Sequence, residues 1–333
     1  MPTSLIVTSI NAPTRAVKSL AEGCLENSWD FLLAGDSKGP TDFTLEGCRF
    51  LSIETQRKSG FALADVCREK SYTRKNLAYL EAMRGGADVI VETDDDNHPL
   101  EAFWEARNQN AQAREVRHDG WVNAYSYFTG DFIYPRGMPL SHARDTAPAA
   151  GPVVPVSSPI HQGLADQDPD VDAVYRMLFP LPFSFAAERG SVFLEPGAWC
   201  PFNSQNTTFF KSAFPLLYLP AHCSFRMTDI WRSFVAQRIL HAKNQGVLFH
   251  SHTVWQERND HDLNTDFRDE LPGYNHNREI REELLSIPFT SDQSTTVMLE
   301  TCYGRMIARG WVGKEEEGIL AAWLTDLADL GIR

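Results

Sequence analysis

Hydrophobic positions in the first hundred residues fall into short continuous runs separated by stretches with helical spacing. "SLIVTSI" (4–10) is a β-branched run, and "WDFLLAGD" (29–36), "CRFLSI" (48–53) and "DVIVET" (88–93) read as three further strands. The spacing predicts a helix from Thr14 to about Asn27. A second is predicted from Tyr72 to Arg84, with Leu77, Leu80 and Met83 on one buried face and Gly85-Gly86 as its stop. Strands alternating with helices imply parallel pairing in a doubly wound α/β sheet. Ligands of such sheets bind at the carboxyl ends of the strands. Thr8-Ser9, Gly35-Asp36 and Asp94-Asp95-Asp96 all fall there.

The pattern then changes. Residues 130–169 carry seven prolines, at 135, 139, 148, 152, 155, 159 and 169. This reads as an irregular loop crossing the open face of the sheet, since long irregular stretches within compact proteins are usually functional. Beyond it the pattern predicts a short helix (171–178), a helix from Asp229 to about Lys243, and a strand "GVLFHSHTVW" (246–255). Two amphipathic helices near 294–309 and 313–330 close the chain.

Composition narrows the classes. The chain has 333 residues, 43% of them hydrophobic, enough for one large or two ordinary domains. A net charge of -13 leaves no basic footprint for a phosphate backbone, so nucleic acid is not an expected partner. Six scattered cysteines without C-x-x-C pairing read as reduced thiols. No apolar run reaches the roughly 20 residues a membrane helix needs. "MPTSLIVTSI" lacks the basic region and cleavage site of a signal peptide, so a soluble cytoplasmic protein is expected.

Chemistry concentrates in the aspartates. Strand alternation lets Asp94 and Asp96 face one side while Asp95 turns away. Two carboxylates that close need protons, solvent or a cation, and an all-oxygen pair suits Mg²⁺ or Mn²⁺. The bland alternative is a solvated turn rich in Asp and Asn. "ADQDPDVDA" alternates like a calcium loop, but Val171 and Met177 stand where that loop needs glycine and glutamate. Asp170 is better read as a helix N-cap with Asp172 in the first turn, with substrate contact as the alternative. Arg74 and Lys75 in the first turn of their helix oppose its dipole unless an anion docks there.

Several blocks, "IVTSINAPT", "SYTRKNLAYLEAMRGGADVIVETDDDN", "QGLADQDPDVDAVYR", "CPFNSQNT" and "FRMTDIWRSFVAQR", resemble the STELLO-type glycosyltransferases. They are more distantly similar to the reversibly glycosylated proteins, or UDP-arabinopyranose mutases. The resemblance spans roughly residues 3 to 260 and leaves the C-terminal helices unmatched. It implies a GT-A (Rossmann-like) fold, mostly parallel and flanked by helices, over residues 1–260, with a nucleotide-sugar half (1–100) and an acceptor half (101–260). Residues 261–333 would be a helical extension packed on it. It implies a nucleotide-diphosphate-sugar donor and a divalent cation, Mn²⁺ or Mg²⁺, held by a D-x-D motif at Asp94-Asp95-Asp96. Asp96 and Asp94 would be the metal ligands, with Asp94 and Asp95 also touching the donor. Thr8, Ser9, Asn11 and Asp36 would hold the nucleoside, and Arg74 and Lys75 would face the diphosphate.

An inverting enzyme also needs a general base. Asp229 is the candidate, against the plain reading that Thr228 caps the helix and Asp229 complements its dipole. His250 and His252 alternate on one strand face and are candidate further metal ligands, or ordinary hydrogen-bonded histidines. Trp199 either stacks on a sugar or packs in the core, with Asn203 and Gln205 reading acceptor hydroxyls. The expected activity is transfer of a sugar from a UDP- or GDP-sugar to a glycan or other hydroxyl acceptor, in cell-surface polysaccharide assembly. The alternatives are a nucleotide-sugar mutase working through Arg136 or Arg144, and a non-catalytic nucleotide-sugar-binding protein.

Overall fold

The computed structural model describes residues 1–257 and 262–332; the expected boundary at 260/261 lies outside them. The N-terminal unit follows the predicted alternation: β1 (Thr3–Thr8), α1 (Arg15–Asn27), β2 (Asp30–Ala34), β3 (Arg49–Leu51), two short helices α2 (Ile53–Arg57) and α3 (Ala62–Val66), then α4 (Lys75–Arg84) and β4 (Val89–Thr93). These four strands pair in parallel in the order β3-β2-β1-β4. Helices on both faces bury β1 and β4 almost completely, so their sequences are continuous apolar runs rather than alternating ones. Thr14 caps α1 by accepting from the Val17 N–H at 3.1 Å.

Helix α4 is buried all round, not only along Leu77, Leu80 and Met83. Its outer side is covered by the chain near Leu219, whose backbone exchanges two hydrogen bonds with the Asn76 amide (2.9 and 3.0 Å).

The second half continues the sheet with β5 (Asn97–Pro99), β6 (Asn110–Val116), β8 (Val153–Ser157) and β9 (Ile160–Asp166), while β7 (Gly120–Trp121) belongs to a separate two-stranded sheet. Then come α5 (Ala173–Leu178), β10 (Val192–Leu194), β11 (Ala198–Trp199), β12 (Asn206–Phe210), α6 (Thr228–Ala242) and β13 (Val247–Gln256). Helices α7 (Leu263–Leu285), α8 (Thr295–Ala308) and α9 (Glu316–Asp329) follow. The full order is β3-β2-β1-β4-β12-β9-β13-β10-β6-β8, with β5 on β13. Antiparallel β12 joins the parallel half to a mixed half.

Three expectations change here. The proline-rich stretch is not irregular throughout, because β8 and β9 lie within it. Pro155 is tolerated because β8 is the outermost strand, where its missing N–H breaks no inner ladder. Helix α5 is capped by Asp172, which accepts from Tyr175 N–H at 2.7 Å; Asp170 lies outside and turns to Arg136. Helix α6 begins at Thr228 itself, with no side-chain cap, and the Thr228 hydroxyl donates back to the Ser224 carbonyl.

Among the described residues no helix is long and apolar enough to cross a membrane. The C-terminal helices pack on the sheet domain through polar contacts as well as apolar ones. Asp326 of α9 accepts from the Ala62 and Leu63 N–H groups of α3 at 2.7 and 2.9 Å.

Candidate active site at the strand ends

At the carboxyl end of β4 the chain turns through Asp94-Asp95-Asp96 into β5. The turn is pinned from three sides. The Thr93 hydroxyl and Asn97 amide donate to the Gln205 carbonyl at 2.7 and 2.8 Å. The Thr14 hydroxyl donates to the Asp95 carbonyl at 2.6 Å, and Gln256 Nε2 to Asp96 Oδ1 at 3.0 Å. The side chain of Asp95 turns to β1, accepting from the Ser9 hydroxyl and the Asn11 amide at 2.5 and 3.0 Å.

Two adjoining cavities meet at this turn. The first, about 390 Å³, lies over the ends of β1 and β2, among Thr8, Ser9, Asn11 and Asp36. The second, about 240 Å³, is lined by Asp94, Asp96, Arg136, Gln205, Asp229 and Gln256, among others. Tyr72, Asp95 and Phe225 border both. The structure therefore brings together most of the sequence-predicted donor residues. Asp36 has a structural duty as well, accepting from the backbone N–H groups of Ser37, Lys70 and Ser71 (2.6–2.8 Å) and so folding the loop before α4.

Of the two basic residues expected to face the diphosphate, Arg74 borders the first cavity and Lys75 lines neither. The Arg74 guanidinium is buried against Gln56 Oε1 (2.6 Å) and the Cys67 and Arg68 carbonyls. Lys75 is wholly buried, with Nζ 3.1 Å from the Thr93 carbonyl, 3.7 Å from Asp94 and 3.8 Å from Glu92. The cause is Glu92, an acid inside an otherwise apolar strand, which draws both Lys75 and Arg232 (2.6 Å) into the core.

The second cavity is strongly acidic. Burial, offset by Lys75 and then reinforced by Asp96, Asp229 and Asp95, pushes the Asp94 carboxyl up to about 8. Across from it Asp229 makes two hydrogen bonds with Arg136 (3.1 and 2.8 Å), and Arg136 also holds Asp170 at 2.7 and 2.9 Å. Burial alone would raise the Asp229 carboxyl, but Arg136, then Arg232 and Arg226, hold it below the usual carboxylate range. Asp170, read from the sequence as a helix cap or a substrate contact, and Arg136, read as a position for a glycosylated arginine, both line this cavity. As a guanidinium clamped by two carboxylates, Arg136 offers no free nitrogen for covalent attachment of a sugar. Arg144 lies over the Phe132 ring, bordering a different cavity.

Four other candidates, Trp199, Asn203, His250 and His252, fall outside the two cavities. Trp199 is fully buried against Trp121, Phe234 and His241, because β11 pairs with β7 in a register that puts the two tryptophans together. It is a core residue. Asn203 is buried too, its amide oxygen accepting from Gln162 and from the Gln205 N–H. Gln205 does line the second cavity. His250 and His252 do not share a face simply, since the β13–β9 register shifts between them. His252 lies 3.3 Å from Asp166, and burial pushes the His250 imidazole down to about 4. Neither lines the acidic cavity; Gln256 of the same strand is the group beside Asp96. Among the described residues no group of three or more His, Cys, Asp and Glu side chains converges as a ready metal cage.

The model of the STELLO glycosyltransferases matches residues 226–333. This includes α7, α8 and α9, the helices that the sequence resemblance left unmatched. A solved structure of S. aureus TarS (residues 1–349) in complex with UDP-GlcNAc is 15% identical, with a TM-score of 0.34 over 99% of this chain and 80% of that one. In Arabidopsis thaliana, the probable glycosyltransferase STELLO2 is 27% identical over 98% of this chain and 45% of its own length. STELLO1 is 28% identical over 71% of this chain and 33% of its own. The chain thus spans less than half the length of these relatives. The family match thus covers the C-terminal part of the chain, and the similarity to STELLO2 runs along nearly all of it.

Proposed function

We propose that the protein is a metal-dependent glycosyltransferase that moves a sugar from a nucleoside diphosphate donor to a hydroxyl of a glycan acceptor. The observation that carries this reading is the pair of cavities joined at Asp94-Asp95-Asp96. Thr8, Ser9 and Asn11 would take the nucleoside in the first, and the diphosphate would reach over the aspartates into the second.

Charge supports a cation there. Five aspartates (94, 95, 96, 170 and 229) line the second cavity against two guanidiniums, Arg136 and Arg226. Both guanidiniums are already paired, Arg136 with Asp170 and Asp229, and Arg226 with Glu270 at 2.8 Å. A diphosphate would meet net repulsion unless a divalent ion came with it. The oxygens of Asp94 and Asp96 are hard donors suited to Mg²⁺ or Mn²⁺, and they would hold it while the ion keeps several waters. When bound, such an ion stabilises negative charge developing on the leaving diphosphate.

The chain's own residues do the rest. Asp229, ionised and oriented by Arg136, would take the proton of the acceptor hydroxyl as the sugar–diphosphate bond breaks. Gln205, whose amide reaches the Asp168 carbonyl at 3.3 Å, would orient the incoming group.

The test is a thermal-shift panel of UDP-, GDP-, dTDP- and CMP-sugars with and without Mn²⁺. Stabilisation by one nucleotide class, requiring metal and lost in Asp96→Ala, is expected. Binding that survives chelation and Asp96→Ala unchanged overturns the metal assignment; no stabilisation by any donor overturns the donor assignment.

A further inference from the structure

Between the donor carboxylate Asp94 and the opposite carboxylate Asp229 runs a chain of side chains that no part of the reaction scheme above uses. Lys75 Nζ, 3.7 Å from Asp94, donates to the Tyr72 hydroxyl at 3.2 Å. The Tyr72 hydroxyl bonds the Ser204 hydroxyl. The Ser204 hydroxyl lies 3.4 Å from Asp229 Oδ2, and the Ser204 N–H is 3.3 Å from the same oxygen.

The ends fix its polarity. An ammonium only donates and a carboxylate only accepts. So Tyr72 accepts from Lys75 and donates to Ser204, and Ser204 accepts from Tyr72 and donates to Asp229. Every hydroxyl gives one hydrogen bond and takes one, in the same sense. Chains so aligned polarise one another in a low-dielectric interior. Burial, then Asp94, Glu92 and Asp229, push the Tyr72 phenol well above its ordinary range, so it stays an O–H donor.

The position of Tyr72 adds to this. It follows Ser71 in a single tight turn immediately before α4, its ring meets Phe225 edge-on at 6.0 Å, and it borders both cavities. Ser204 lies just before β12, and Asp229 opens α6. Tyr72 is therefore one of the points where the donor-side elements and the acceptor-side elements exchange a polar contact.

We infer that Tyr72 is a positioning residue that couples the two carboxylate sites: its hydroxyl holds Ser204 against Asp229 and Lys75 against Asp94, so that the donor side completes the aim that Arg136 gives Asp229. This rests on the glycosyl-transfer reading of the site.

The experiment is a double-mutant cycle of Tyr72→Phe and Ser204→Ala, following kcat, the donor KM and thermal stability with Mn²⁺ present. Tyr72→Phe is expected to lower kcat roughly tenfold to a hundredfold while the donor KM stays within about threefold. Because both substitutions cut one chain, the double variant should lose no more than the worse single one. Losses in kcat that multiply, or a Tyr72→Phe enzyme with unchanged kcat, overturn the coupling. Wild-type protein that neither binds nor turns over any nucleotide sugar with Mn²⁺ overturns the reading beneath it, and the coupling with it.

Discussion

Lys75 and Asp94 form an ion pair in which one partner is entirely buried and the other faces the cavity. The Nζ lies 3.7 Å from the carboxylate, the Lys75 side chain is 0% exposed and the Asp94 side chain 32%. On its inner side the same ammonium is 3.8 Å from Glu92, which Arg232 also holds. The core thus carries an alternating row of charges, Arg232, Glu92, Lys75 and Asp94, that ends at the open strand edge. Tyr79 adds a hydroxyl to Glu92.

Such a row is sensitive to losing an interior member. Replacing Lys75 by Met leaves the length of the side chain but removes the charge that Glu92 and Asp94 share. Breaking a buried pair on one side costs about 3–5 kcal/mol, because the remaining charge is left unpaired. Lys75→Met should therefore lower the unfolding free energy by that order, read as a lower urea midpoint at an unaltered slope. A loss below about 1 kcal/mol would mean that Arg232 alone satisfies Glu92.

The same row shows what the sequence displayed and what it concealed. Strands β1, β2 and β4 were legible because burial on both faces writes them as nearly unbroken apolar runs. Helix α1 was legible from Thr14 and its periodic face. The aspartates stood out because they end such a run. Arg74 and Lys75 were visible as charges, but their direction was not. The available cue was Glu92 within "VIVET": an acid in a doubly buried strand demands a cation from the neighbouring helix.

Helix α7 left almost no hydrophobic signal. It contains Pro272 and buries Asp266, Glu270, Asn277 and Glu283 alongside few apolar residues. Its contacts are polar and specific, as when Glu270 receives Arg226, Tyr274 and the Ala173 N–H. Periodicity of hydrophobic residues does not report such an interface. Strand β8 was hidden differently, by Pro155, whose tolerance depends on an edge position known only from the assembled sheet.

Trp199 gives a direct check on one corrected role. Its ring lies within 6.4 Å of those of Trp121, Phe234 and His241, and it is fully buried. Trp199→Ala should cost about 3–5 kcal/mol by opening a cavity. Trp199→Phe, which refills most of that space, should leave donor and acceptor KM unchanged. A selective rise in acceptor KM for the stable Phe variant would return the residue to the binding surface.

The pairing of Arg136 with Asp229 predicts a pH effect whose sign is fixed by the surroundings. Burial raises the Asp229 carboxyl; Arg136, then Arg232 and Arg226, lower it further than burial lifts it. The net position is below the ordinary carboxylate range, so in the wild type Asp229 is ionised throughout mildly acidic and neutral conditions. Activity that needs the ionised form should then show no acid limb from this group until the pH falls below that range. Arg136→Gln removes the largest lowering influence and frees Asp170, a second negative charge, beside the site. Burial then dominates, and the acid limb of kcat/KM should move upward in pH. The Arg136→Gln enzyme should therefore lose a larger share of its activity than the wild type as the buffer is taken from about pH 8 to about pH 5.5. Profiles of identical shape, differing only in height, would show that the limiting proton does not reside on Asp229, and the base would have to be sought among the other carboxylates of the cavity.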